Sequence, residues 1–250
     1  MSEEPVPRDA ATLILVDRSD GPPKILVGQR RHDQVFMPGK YVFPGGRVDP
    51  GDADVPVSLA LRDHEIEKLL LDMKGEASRT RARGLAVAAV RETFEETGLA
   101  LGAAIPDASS HASTGTPSDT SAVREPPSTA HDAIWQAFFA LGVAPRLDAL
   151  TYFARAITPP GRPRRYDTRF FCAETDAISH RTDMRDEELL GLHWLTFEET
   201  RNFDLPAITR VVLEDLYDQL EAPRDDFASQ PVPYYHQRDG NFRRDLLSPT

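Results

Sequence analysis

Residues 84–97, "GLAVAAVRETFEET", restrict the folds open to this chain more than any other stretch. Helical geometry puts Val87, Val90 and Phe94 on one side and Glu92, Glu95 and Glu96 on the other. The i, i+3, i+4 spacing stacks the three carboxylates, where like charges repel by roughly 0.2–0.5 kcal/mol per pair. Gly98 suits a left-handed C′ position, so the helix is expected to stop there. Such a helix needs an apolar surface beneath it and a reason to hold three acids together.

The apolar surface is supplied by short runs. "ATLILVD" (11–17) and "KILVGQR" (24–30) flank the turn-rich "RSDGPP" and read as a hairpin. Residues 32–52 hold three prolines and four glycines and are expected to be mostly loop. "DHEIEKLLLDMKG" (63–75) carries Ile66, Leu69, Leu70 and Met73 on one stripe and ends at Gly75. "HDAIWQAFFALG" (131–142) reads as a short helix, and "LTYFARAIT", "DTRFFCAE" and "LLGLHWLTF" read as strands. Thr196 and Glu199 form a capping box ahead of a long helix striped by Ile208, Val212, Leu216 and Leu220. The elements interleave without regular βα alternation, which predicts an α/β chain of the α+β type: a mixed sheet flanked by helices. One domain over 1–250 is expected, with a flexible Ser/Thr/Pro-rich loop at 104–131 and a polar tail at 221–250.

Charge and composition exclude several classes of function. A net charge of −11 disfavours nucleic-acid binding, which rests on Lys/Arg–phosphate contacts. "MSEEPVPRDA" is not a signal peptide, and no apolar run nears the ~18 residues of a membrane span. Cys172 is the single cysteine, so an internal disulfide and a thiolate metal site are both excluded. A cytoplasmic protein with no membrane or nucleic-acid partner is the expectation.

Three carboxylates on one helical face suit a hard divalent cation, Mg²⁺ or Mn²⁺, which takes oxygen ligands and is completed by substrate phosphates. Arg91 can orient a carboxylate through its planar fork. Taken alone, R-E-x-x-E-E also describes a solvated face in which Arg91 and Glu95 pair at i, i+4.

"FPGG" (43–46) followed by "RETFEETGL" (91–99) resembles the signature of the Nudix hydrolases, G-x5-E-x7-R-E-U-x-E-E-x-G-U with U aliphatic. Arg91, Glu92, Thr93, Glu95, Glu96, Gly98 and Leu99 fill its second half, Thr93 at an aliphatic place. Gly46 and Arg91 lie 45 positions apart, far more than the pattern requires, and Asp52 stands at the first glutamate's place. An insertion at 53–83 accounts for the extra length, at a loop-closure cost that grows only logarithmically. Its amphipathic helix needs a partner surface, either the rim of the site or a second subunit, so a homodimer is among the expectations.

The resemblance implies the Nudix fold with a helical insertion, and metal-dependent hydrolysis of a diphosphate joining a nucleoside to a group X. It implies Glu95 and Glu96 as ligands of Mg²⁺ or Mn²⁺, with Glu92 a third ligand or the base that deprotonates water. It further implies that the Gly45 carbonyl completes the coordination and that Arg91 orients the acids. Glu188, with Glu187 next, is the candidate for an acid supplied by a later loop. Residues 26–46 resemble the upstream element of coenzyme A-cleaving members: Leu26, Arg30, Gly39 and Phe43 to Gly46 fit, while Gly28 and Val35 replace the usual Thr and Arg.

The split box resembles the peroxisomal-type coenzyme A diphosphatases and their bacterial relatives. Coenzyme A or acyl-coenzyme A, cleaved to 3′,5′-ADP and 4′-phosphopantetheine, is the implied substrate. Its phosphates would be met by Gly46, Arg30, Arg31 and Lys40 near the box and by Arg162, Arg164 and Arg165 on "GRPRRYDTR". Two alternatives stand beside it: a pyrophosphatase of NADH or ADP-ribose, and a non-catalytic sensor on the same fold, which would be expected to have lost the box acids. His32, His180 and His193 lack metal-ligand spacing and read as surface or packing residues.

Overall fold

The apolar run at 11–16 is buried throughout or nearly so, and its strand, β1 (Arg8–Asp17), accordingly lies inside a sheet covered on both faces. This computed structural model describes residues 5–34, 37–105, 130–183, 188–221 and 230–248. After β1 come β2 (Lys24–Arg30), β3 (Tyr41–Val42), β4 (Gly45–Arg47), α1 (Asp63–Leu70), α2 (Arg79–Thr97), β5 (Leu99–Ala100) and β6 (Gly102–Ala104). Then follow α3 (Ala130–Phe139), β7 (Val143–Pro145), β8 (Thr151–Ile157), β9 (Tyr166–Glu174) and β10 (His180–Arg181). The chain closes with β11 (Leu189–Thr196), α4 (Ala207–Glu221), β12 (Val232–Arg238) and β13 (Asn241–Leu247).

The main sheet runs β11-β2-β1-β9-β8-β12-β13, with β3 added to β2 and β4 to β1. Pairing is antiparallel except for β1 with β9 and β12 with β8, so the sheet is mixed as expected. Alternation along β1 divides the core. Leu13 and Leu15 join Phe171 beneath Leu85, Val87, Phe94 and Phe138 of α2 and α3, while Ile14 and Val16 join Cys172 beneath Val212 and Leu216 of α4. Each such buried side chain contributes roughly 1.5–3 kcal/mol. No helix among the described residues is long and apolar enough to cross a membrane.

One irregularity places the site. β1 and β2 pair only at Val16–Ile25 and Asp17–Lys24 and then diverge. The gap is taken by the segment expected to be loop: β3 pairs with β2 at Gly28–Val42, and β4 pairs with β1 at Thr12–Gly45, Ala11–Gly46 and Ala10–Arg47. The Leu13 N–H donates to the Pro44 carbonyl at 3.0 Å, and buried Phe43 packs into the α4-side core. A 3-10 turn, Pro50–Asp54, follows directly.

The inserted segment finds its partner in its own chain. Leu61, Ile66, Leu69 and Met73 join the core under α2, and buried Glu65 accepts the Tyr152 N–H at 2.9 Å while pairing with Lys68 at 3.0 Å. α1 ends at Leu70 rather than near Gly75, and α2 begins at Arg79, five residues before the expected start, capped by the Ser78 hydroxyl. The reciprocal Thr196–Glu199 bonds exist, but they lead into a 3-10 turn, Glu199–Asn202, whose N-cap is Glu198, and α4 starts only after Pro206. Within the stretch read as a polar tail, β12 and β13 form a hairpin that extends the sheet past β8. Most of the 104–131 loop, Glu187 and Val35 lie outside the described residues.

Candidate active site

The acidic face of α2 is largely covered: Arg91 is 6% and Glu96 2% exposed, Glu92 is partly buried, and Glu95 is the most open of the three acids. It packs on β4 and on the 3-10 turn, and Arg91 is its hub. Arg91 Nε donates to Asp52 Oδ1 at 2.8 Å, and Nη2 donates to Asp52 Oδ2 at 3.0 Å and to the Arg47 carbonyl at 2.9 Å. Nη1 donates to Glu92 Oε1 at 2.9 Å and to Glu95 Oε2 at 3.2 Å. Glu96 reaches instead to β4, where its Oε2 accepts the Gly45 N–H at 2.8 Å. Thr93, fully buried at an aliphatic place, satisfies its hydroxyl on the Ala89 carbonyl at 2.7 Å. Gly98 takes φ 72° and its N–H bonds the Phe94 carbonyl, ending the helix just after the acids.

Asp52 is fixed from its own turn as well. Asp49 caps the 3-10 turn by accepting the Gly51 N–H, and Asp52 Oδ2 accepts the Asp49 N–H at 2.7 Å. From α3, His131 Nε2 lies 3.1 Å from Asp52 Oδ1, and Trp135 Nε1 lies 3.1 Å from the same His131 nitrogen. Asp52 thus occupies the glutamate place as a buried ligand of Arg91. Neither it nor His131 was among the expected site residues. The aspartate was visible only by counting from Gly46, and His131, 79 positions away, obeys no spacing rule.

Burial raises the Glu92 carboxyl to about 7, and the charges of Glu95 and Asp52 push the same way against the pull of Arg91. For Arg91, burial works against the charge, but Asp52, Glu92 and Glu95 hold the guanidinium above its ordinary value. The two glycines of β4 make close approach possible. A Cβ on Gly46 would stand 2.5 Å from Glu92 Oε2, and one on Gly45, at φ +157°, would stand 2.6 Å from the Ala11 carbonyl oxygen.

Among the described residues, no three His, Cys, Asp or Glu side chains converge closely enough to hold a metal ion. Glu92 and Glu95 are turned to Arg91, and Glu96 to the Gly45 N–H. The donor chemistry, three carboxylates beside a backbone turn, nevertheless fits a hard divalent cation. The missing Cβ of Gly46 lets the Glu92 carboxyl lie against the backbone of β4.

The other expected residues divide. Arg30 and Glu188 meet in an ion pair at 2.5 Å, with Gln34 also on Arg30 at 3.3 Å. Arg31 pairs with Asp33 at 3.1 Å and Lys40 with Asp204 at 2.6 Å. Arg162 and Arg164 are exposed on the β8–β9 connection, and Arg165 bonds the carbonyls of Thr158 and Pro5. His193 packs edge-on with Tyr41 and tilted against Phe203, and His32 lies against Gly39.

No family model matches the chain. Among solved structures, a NUDIX hydrolase from Alicyclobacillus acidocaldarius is similar at 26% identity and a TM-score of 0.54, over 84% of this chain and 90% of that one. The NUDIX domain of Shewanella oneidensis NrtR, complexed with ADP ribose, is 10% identical with a TM-score of 0.46, over 86% and 90%. A MutT protein from Methanosarcina mazei Go1 is 12% identical with a TM-score of 0.45, over 87% and 100%. The chain has the Nudix fold.

Proposed function

We propose that this chain is a divalent-cation-dependent hydrolase of a diphosphate linking a nucleoside to a second group, with coenzyme A or an acyl-coenzyme A as substrate. The observation that carries the reading is the buried Asp52–Arg91 pair. It joins two halves of a motif 39 positions apart, where Glu92 lies against Gly46 and Glu96 takes the Gly45 N–H. Likeness to the Alicyclobacillus acidocaldarius NUDIX hydrolase supports the reaction class.

In this reading Glu95 and Glu96, with the Gly45 carbonyl, hold Mg²⁺ or Mn²⁺. A bound cation neutralises charge on the diphosphate oxygens and orients them for in-line attack. Arg91 fixes the acids without touching substrate. Glu92 lies against Gly46 with one oxygen on Arg91, so it serves as a further ligand or accepts the proton of the attacking water. Arg30 is the cation proposed for a substrate phosphate, which would compete with Glu188 for it. Coenzyme A as the substrate rests on the partial match of residues 26–46.

The test is product identification, with coenzyme A, an acyl-coenzyme A, NADH and ADP-ribose offered side by side with Mg²⁺ or Mn²⁺. Release of 3′,5′-ADP at the highest kcat/KM is expected. AMP from NADH or ADP-ribose would overturn the substrate while leaving the reaction class, and no turnover of any of the four would favour a sensor.

A further inference from the structure

We propose that His131 is a positioning residue for this site, holding Asp52 so that Arg91 keeps Glu92 and Glu95 aligned; the inference rests on the function proposed above. Asp52 is fully buried, and an ionised carboxylate has about four lone-pair sites to satisfy. Arg91 Nε, Arg91 Nη2 and the Asp49 N–H supply three donors at 2.8, 3.0 and 2.7 Å. His131 Nε2, 3.1 Å from Oδ1, supplies the fourth.

The ring's surroundings decide which nitrogen carries its proton. Nε2 faces two groups with opposite needs: ionised Asp52 only accepts, and the Trp135 indole N–H only donates. A hydrogen bond to a charged partner is roughly twice as strong as a neutral one, so the proton sits on Nε2 and goes to Asp52, and the Trp135 N–H then only touches that nitrogen without bonding it. Nδ1 faces Asp132 Oδ1 at 3.8 Å, too far for a direct bond. The seat is cut to the ring: a Cβ on Gly51 would stand 2.7 Å from His131 Cε1, and the Trp135 ring meets the imidazole edge-on at 6.3 Å. Because Arg91 takes both Asp52 oxygens through two nitrogens, the plane of that carboxyl sets the plane of the guanidinium. Arg91 Nη1 then carries the setting to Glu92 and Glu95. His131 touches neither glutamate in this chain of contacts and acts only through Asp52.

The experiment combines His131→Ala, His131→Gln, Asp52→Asn and His131→Ala/Asp52→Asn, with Glu95→Gln as control, reading kcat and KM with Mn²⁺. The ring N–H resonances of His131 are read by NMR in metal-free wild type. His131→Ala is expected to lower kcat by about tenfold or more while KM stays within about twofold, as for other groups that orient ligands from behind. His131→Gln, which keeps an N–H near the reach of Nε2, recovers most of the rate. The double variant loses no more than Asp52→Asn alone. In wild type a slowly exchanging Nε2–H is expected, and Asp52→Asn abolishes it.

A His131→Ala kcat within about twofold of wild type, a loss undiminished in the Asp52→Asn background, or a wild-type ring protonated on Nδ1 alone would each overturn the proposal. Should the alanine variant not fold, the glutamine variant and the wild-type resonance decide. Full turnover by Glu95→Gln would sink the functional reading itself; a dead Glu95→Gln beside an undisturbed His131→Ala would sink only the role of His131.

Discussion

Replacing Gly46 by alanine should remove activity while leaving the fold nearly untouched. Gly46 is not in the left-handed region, so a methyl group adds no backbone strain. The new Cβ would stand 2.5 Å from Glu92 Oε2 and 2.6 Å from its Cδ and Oε1, where ordinary contact begins at 3.4 Å. The carboxyl must therefore retreat by about 1 Å, and as the end of a flexible side chain it can do so. A displacement of about 1 Å in a reacting group costs on the order of 10²-fold in rate. The hydrogen bond Glu92 then loses with Arg91 is worth ~1 kcal/mol. Fewer unfolded conformations return about 0.4–1 kcal/mol, so Tm should stay within ~3 °C. The assay is kcat/KM at saturating Mn²⁺ beside a calorimetric melt. A kcat/KM within about threefold of wild type would mean that the position of Glu92 does not govern the rate. A Tm lowered by more than ~8 °C would show that the backbone, not the carboxyl, had yielded.

Gly45→Ala should behave oppositely: its Cβ would meet backbone, Ala11 O at 2.6 Å and Thr12 Cα at 2.7 Å, at a φ of +157°, so calorimetry should show Tm falling by ~5 °C or more. Glu92, raised from 4.5 to about 7 in the metal-free protein, binds its proton more tightly folded than unfolded. Its contribution to stability is therefore fully present at low pH and lost as pH rises through that window. Glu92→Gln should flatten the urea midpoint between about pH 5 and about pH 8, and an unchanged slope would refute the assignment. Gly98→Ala forces a side chain into φ 72° and should cost ~1 kcal/mol with an unchanged m value in urea titration.

The three glutamates and Gly98 were legible because helix periodicity and left-handed caps are local rules. The start of α2 was not, because Ser78 caps a first turn with no apolar stripe to announce it. The Thr196–Glu199 box showed which N–H groups are satisfied, but not how long the helix after it would be. β12 and β13 escaped notice since Pro233 interrupts one strand and the other is exposed on nearly every residue, leaving no alternation to read. The need of the inserted helix for a partner was visible from its stripe. The bond that pins it, from the Tyr152 N–H of β8 to Glu65, spans 87 positions, a contact that no pattern in one chain encodes.

The divergence of β1 and β2 bears on how a substrate can be captured. The segment between them is tied on both margins: Arg30 bonds Lys40 and Gly39 on one side, and Leu13 and Thr12 hold Pro44 and Gly45 on the other. A floor stitched to two strands cannot hinge open without unzipping both, so its amides should exchange with solvent only on global unfolding. For the function proposed above, binding against it should carry little ordering cost, so the rate of capture is expected to follow diffusion and electrostatic steering rather than the motion of that floor.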